Sequence, residues 1–257
     1  MDVYYAFDGS FEGLLSAVFL CYRKKERPVL VTEHPFTPSI FSTVRKVKTE
    51  SERAERVDKK LKTLLSRYNY LRLRRAFKSG EPDKSAVCFN YILKNIDGGQ
   101  DLSYNYADGD IYKLKVIADR VSTEIHRFKG FVRFEKTVSG IYYAKIAPDN
   151  DIAAELLPHF AARYKNMPFI ICDVKREVYA CHNDNDNAVF YQKPERLDEI
   201  LASNDRIPLL WKKYYDSVNI PDRLNEKLMK GSMPRRYHVY LPEKDPLLGV
   251  VPKSNRF

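Results

Sequence analysis

The 257-residue chain carries 44 Lys plus Arg against 34 Asp plus Glu, a net charge of +10, with 44% apolar residues. That apolar share can bury a substantial core and excludes a mainly disordered chain, while the positive balance suits a polyanionic partner. GLLSAVFLCY is too short to span a bilayer and MDVYYAFDGS lacks the basic start of a secretory leader, so a cytoplasmic location without a membrane partner is expected.

DVYYAF predicts a strand and SFEGLLSAVFLCYRKK a helix, with Ser10 as its N-cap after the Asp8-Gly9-Ser10 turn. PVLVTE predicts a second strand and completes a β-α-β unit. The turn could hold a phosphate at the helix N-terminus, but it has neither GxGxxG nor GxxxxGK[ST], and a tight βα turn explains it more simply. No cofactor is expected.

From about Thr49, Ala54, Val57, Leu61, Leu64, Tyr68 and Leu71 recur at steps of three and four, the mark of one buried helical face. Arg53, Lys60, Arg67 and Arg74 repeat every seven residues and form a ridge beside it, complete only if the helix does not break near Tyr68-Asn69. Between Arg45 and Lys78 there are 13 basic and 4 acidic residues, so almost all the excess charge sits in this segment. Contact with a polyanion and simple solvation of a helix flank both account for it.

SAVCFNYILKNI predicts a third helix, and Ile111, Leu114, Ala118, Val121, Ile125 and Phe128 a fourth, from Asp108 to Phe128 with Gly130 stopping it. FVRFEKTV and IYYAKIAP then read as strands joined at Ser139-Gly140. Alternation on those strands would place Arg133 and Lys145 on one face beside Phe131 and Tyr143, a combination of cations and rings suited to single-stranded nucleic acid.

A helix capped by Asp149 or Asp151 and interrupted at Pro158 follows, then a hairpin of PFIICDVK and EVYACHN with Lys175-Arg176 at its tip. The C-terminal stretch reads as helical, broken at Pro208, Pro221, Pro234 and Pro242. The class is α+β: an N-terminal β-α-β with helices, an antiparallel β-β-α-β-β unit, and a helical C-terminal segment. Residues 1–193 are expected to form the α+β domain, with 194–257 packed on it.

Five residues are candidates for chemistry. His126 sits in the last turn of its helix, and Glu124 is spaced to orient Arg127 and Arg120. Glu155, His159 and Arg163 share a helical face, so His159 could act as an acid or base. Asp149 and Asp173 lie at strand ends, but nothing in the spacing forces a metal site, and none is expected. The four cysteines, Cys21, Cys88, Cys172 and Cys181, are scattered and lack a CxxC pair, which predicts reduced thiols.

The stretches YYAFDGSFEGLLSAVFLCY, RVSTEIHRFKGFVRFEKTVSGIYYAKIAPDNDI, LLPHFAARY and FIICDVKREV are similar to a bacterial family of DNA metabolism and DNA repair proteins, classed as a domain of unknown function. The resemblance covers nearly the whole chain. It implies a role in DNA repair beside a radical-SAM protein encoded as a neighbour, and in related chains a fusion to a uracil-DNA-glycosylase-like domain. Its pattern maps onto Glu124, His126, Arg127, Gly130, Arg133, Pro148, Asp149, His159, Phe160, Arg163, Asp173 and Arg176. Cys172 is a departure, since relatives tend to carry His before that Asp.

The expected function is therefore a DNA-binding accessory factor. Its contacts would come from Arg53, Lys60, Arg67, Arg74, Arg127, Lys129, Arg133, Lys145 and Arg163, with Arg235 and Arg236 in the C-terminal PRRYH. An enzyme acting on damaged or modified bases is the alternative, with His126 or His159 as acid or base and Glu124 or Asp149 as its partner. A docking subunit for a protein partner is the third reading.

Overall fold

The computed structural model describes residues 2–37, 41–183, 186–193, 197, 207–218, 227, 229, 231 and 233–244. The chain divides into two compact units, Met1–Ser122 and Thr123–Phe257. That division falls inside the helix Gly109–Phe131.

In the first unit, β1 (Asp2–Ala6), α1 (Phe11–Lys24) and β2 (Leu30–Thr32) form the anticipated β-α-β. Ser10 caps α1, its Oγ accepting from the Gly13 N–H at 2.8 Å. A strand not anticipated, β3 (Ser42–Lys46), pairs on the other side of β1, giving a fully parallel sheet in the order β2-β1-β3. Its burial does not alternate cleanly, so it lacks the period-two signal of a half-buried strand.

The long basic helix is two helices, α2 (Ser51–Leu64) and α3 (Arg67–Phe77). Ser66 starts the second, its Oγ accepting from Asn69 N–H at 3.2 Å. The break resets the apolar face: Leu65, Leu73, Ala76 and Phe77 are buried, while Tyr68 and Leu71 are 60% and 45% exposed. The seven-residue ridge is interrupted with it. Then come α4 (Lys84–Gly98) and α5 (Gly109–Phe131). α5 does not stop at Gly130, which has no positive φ.

In the second unit a five-stranded sheet has the order β4-β5-β6-β7-β8, built from Glu135–Lys136, Tyr142–Ile146, Phe169–Asp173, Val178–Asn183 and Asp186–Phe190. Every pairing is antiparallel except β5 with β6, which α6 (Ala153–Arg163) joins as a crossover. The β6-β7 hairpin is as anticipated, and β8 extends it. β4 is far shorter than the expected FVRFEKTV strand, because Phe131 completes α5. Arg133 then turns back on that helix end, donating to the Gly130 carbonyl at 2.7 Å.

Neither Asp149 nor Asp151 caps α6; its N-cap is Ile152, with no side-chain hydrogen bond, and Pro158 lies inside the helix without ending it. In the C-terminal region α7 (Ile207–Val218) contains Pro208, and 3₁₀ turns follow at Arg235–Tyr240 and Pro242–Lys244. Pro221 lies outside the described residues.

Candidate nucleic-acid interface

Three of the candidate carboxylates, Glu124, Asp149 and Asp173, gather around the loop from Pro148 to Asn150. Glu124 is buried on α5, and its oxygens accept from Asp149 N–H and Asn150 N–H at 2.9 Å, Asn150 Nδ2 at 2.6 Å and the Tyr237 hydroxyl at 2.7 Å. It orients neither of the arginines first assigned to it. Arg120 pairs with Glu81, and Arg127 donates to the Gly231 carbonyl at 3.2 Å. Lys175 and Arg176, at the hairpin tip, bind the loop from the other side through the Pro148 carbonyl, at 3.0 and 3.2 Å.

Asp149 itself meets Arg236 at 2.8 Å and Lys175 at 3.5 Å. Asp173 is fully buried and bonds Arg176 at 2.9 Å. Burial raises its carboxyl above the usual range, with Arg176 only partly offsetting the effect. These groups spend their polar capacity on one another. They form a brace for the loop, and no cluster suited to a metal ion occurs among the described residues.

The two histidines stand apart from that brace. His126 is exposed on α5, and His159 is half-buried on α6 with its ring edge-on to Phe160. Burial lowers the His159 pKa, and the charges of Lys129 and Arg163 lower it further. A histidine, a lysine and an arginine therefore share one cationic neighbourhood.

That neighbourhood borders a cavity of about 530 Å³ built wholly within the second unit. Six rings line it: Phe134, Tyr142, Phe160, Tyr164, Phe169 and Trp211. Phe160 and Arg163 share a face of α6 by their three-residue spacing, and Tyr164 is the C-cap that follows. Tyr142 and Phe169 are register partners on β5 and β6, so their side chains lie on one sheet face. Phe134 packs edge-on against Phe160 and Phe169, both at 5.3 Å, while Phe160 and Tyr164 are parallel with centroids 6.2 Å apart. Pro208 and Trp211 come from α7.

Glu243 fixes the outer wall. Its carboxylate accepts from Arg133 at 2.7 Å and from Trp211 Nε1 at 3.0 Å, and the Arg133 guanidinium lies 5.6 Å from the Trp211 ring. Arg133 is thus committed to the protein, and because it is not on a strand the expected face with Lys145 does not form. Lys145 is exposed beside Tyr143. Lys129 and Arg163 also line the cavity; both are exposed and meet no carboxylate among the described residues.

The other predicted cations are dispersed. In the first unit Arg53 pairs with Glu50 and Arg74 lies over Phe11 at 4.3 Å, while Lys60 and Arg67 are exposed. Arg235 is exposed at the C-terminal 3₁₀ turn. Sequence reasoning missed the cavity rings. Only the Phe160–Tyr164 spacing gave a local signal.

No curated protein and no solved structure matches the chain. A family model, described as a domain of unknown function (DUF4130), matches residues 82–243, which take in every residue that lines the cavity. That is more than half of the sequence, and the chain belongs to the DUF4130 family.

Proposed function

We propose that this protein binds DNA and admits an unstacked base into the aromatic cavity while Lys129 and Arg163 hold the adjoining phosphates. It would serve DNA repair or DNA metabolism as an accessory factor, with the radical-SAM protein expected from the family resemblance as its partner. One observation carries the reading: six rings line a cavity of about 530 Å³ beside two cations that meet no carboxylate among the described residues. Rings provide stacking that tolerates any base, each contact contributing about 1–3 kcal/mol, and cations neutralise the backbone. The base must leave a duplex to enter, so single-stranded or locally opened DNA is the favoured form.

Trp211 is the only tryptophan in the chain and lines the cavity, which makes its emission a local reporter. Titration with a single-stranded oligonucleotide should quench it, with affinity falling steeply as salt rises. Tyr164→Ala should weaken binding about ten-fold or more, the loss expected for one stacking contact. Emission that ignores the oligonucleotide, or binding indifferent to salt, removes the reading.

The enzymatic alternative draws on His159, which does not itself line the cavity but whose ring meets that of Phe160 in its wall at 5.0 Å. Lesion-bearing oligonucleotides incubated with the protein and its His159→Ala variant test it: a product that vanishes in the variant would favour catalysis.

A further inference from the structure

We infer that the first unit carries a docking groove for a protein partner, one that presents an acidic segment with aliphatic anchor residues. A second cavity, of about 440 Å³, lies between α1 and α2, floored by Val18, Phe19, Val57 and Ile96. Arg23, Arg56 and Lys60 line it as well; all three are exposed, and none meets a carboxylate among the described residues. An apolar floor under cations that meet no carboxylate among the described residues is complementary to a segment that alternates aliphatic and acidic side chains, the helix-in-groove mode of recognition.

The same details argue against nucleic acid as the occupant. A base needs an open ring face, and here the rings already carry guanidinium groups: Arg53 and Arg56 lie 5.6 and 5.3 Å from the Phe19 centroid, and Arg27 lies 5.1 Å from that of Tyr22. Val18, Val57 and Ile96 offer no stacking surface. Ile96 and the exposed edge of Val57 suit leucine- or isoleucine-like anchors, with Val18 fully buried beneath them. All the lining residues belong to the first unit, and all except Ile96 precede residue 82, where the family match begins.

The test uses the full chain and three labelled probes. The first is a synthetic peptide with leucines at helical three- and four-residue spacing and glutamates between them. The others are its lysine-for-glutamate counterpart and a single-stranded oligonucleotide. The acidic peptide should bind saturably, and Lys60→Glu or Arg56→Glu should weaken it about ten-fold while Lys48→Glu, a reversal elsewhere in this unit, leaves it unchanged. Methyl resonances of Val18, Val57 and Ile96 should shift on binding, which separates groove occupancy from loose surface attraction. The inference is overturned if the acidic peptide fails to bind, if the basic peptide binds equally well, or if the oligonucleotide moves those methyls. Since Arg56 and Lys60 are exposed, the variants should keep their folded circular dichroism spectrum. Failure here would leave the reading of the aromatic cavity standing.

Discussion

Glu124 and Tyr237, 113 residues apart in the chain, share a hydrogen bond of 2.7 Å in which the phenol donates to the carboxylate. Burial, and then Glu124, push the Tyr237 pKa up to about 12, so the donor proton is retained at neutral pH. Three further donors from the Asp149–Asn150 backbone and the Asn150 side chain complete the carboxylate. Glu124→Ala should orphan all of them and cost about 3 kcal/mol or more, while Tyr237→Phe, losing a single bond, should cost about 1 kcal/mol. Urea denaturation of the two variants checks the ratio. A Glu124→Ala protein as stable as the parent would mean the loop does not depend on this brace.

Asp101 and Asp173 should respond to pH in opposite directions. Burial opposes ionisation of Asp101, but hydrogen bonds from Ser103, Ser66 and Asn69 outweigh it and hold the pKa below 3.8. Its contribution to stability is therefore present above the unfolded value and lost as pH falls through the depressed one. Asp173 has its pKa raised above 3.8 by burial, so its contribution is present in acid and lost as pH rises through the folded value. Relative to the parent, Asp101→Asn should lose stability as pH rises from acid, whereas Asp173→Asn should gain it. Chemical denaturation across the acid range reads both signs.

Glu243 joins Arg133 to Trp211 while its own side chain is only 3% exposed. Removing it leaves the indole N–H without its acceptor and strips the Arg133 guanidinium of its carboxylate while sparing its bond to the Gly130 carbonyl, and because Arg133 is partly solvated the cost should be about 2–3 kcal/mol, at or just below the range for breaking a buried pair. In Glu243→Ala, Trp211 emission should shift to the red with helix content retained. An unshifted spectrum would show that Glu243 does not set the position of the indole.

On the proposed reading, occupation of the cavity by DNA should carry a proton signature. Lys129 and Arg163 help lower the His159 pKa, with Glu155 one helical turn away on α6, and a phosphate placed among these cations should raise it again. Binding then takes up a proton, and affinity should increase as pH falls from the raised value of the complex toward the lowered one of the free protein. His159→Gln should flatten this dependence. Replacing Lys129 and Arg163 with Gln should each reduce the slope of log affinity against log salt by about 0.7, the value for one contact to a single strand.

Much of the architecture was legible because it rests on local chemistry. Ser10 announces α1, and the apolar runs on either side of Lys175-Arg176 announce β6 and β7. Ser66 was not legible as a break, since Leu64 and Leu65 both fit a continuing apolar stripe and only tertiary packing chose Leu65. The FVRF segment alternates as a strand would, yet Arg133 bonds the Gly130 carbonyl and so closes a helix, a use the pattern does not encode. Glu124, Asp149 and Asp173 could be picked out singly but not their mutual saturation, which needs a loop 25 residues distant and a tyrosine 113 away. The cavity rings come from five separate segments, so no window of sequence contains them.

α5 runs unbroken through the place where one unit gives way to the next, at Ser122. Nature has left no tether there for a protease to nick or for insertions to lengthen. A polypeptide trimmed to begin at residue 123 would open in mid-spiral, with its first four amides bare. The family match, starting at residue 82, spares that rod its full length of about 35 Å. The matched piece is thus longer than the compact body that houses the cavity, and excising that body alone would cut α5 in two.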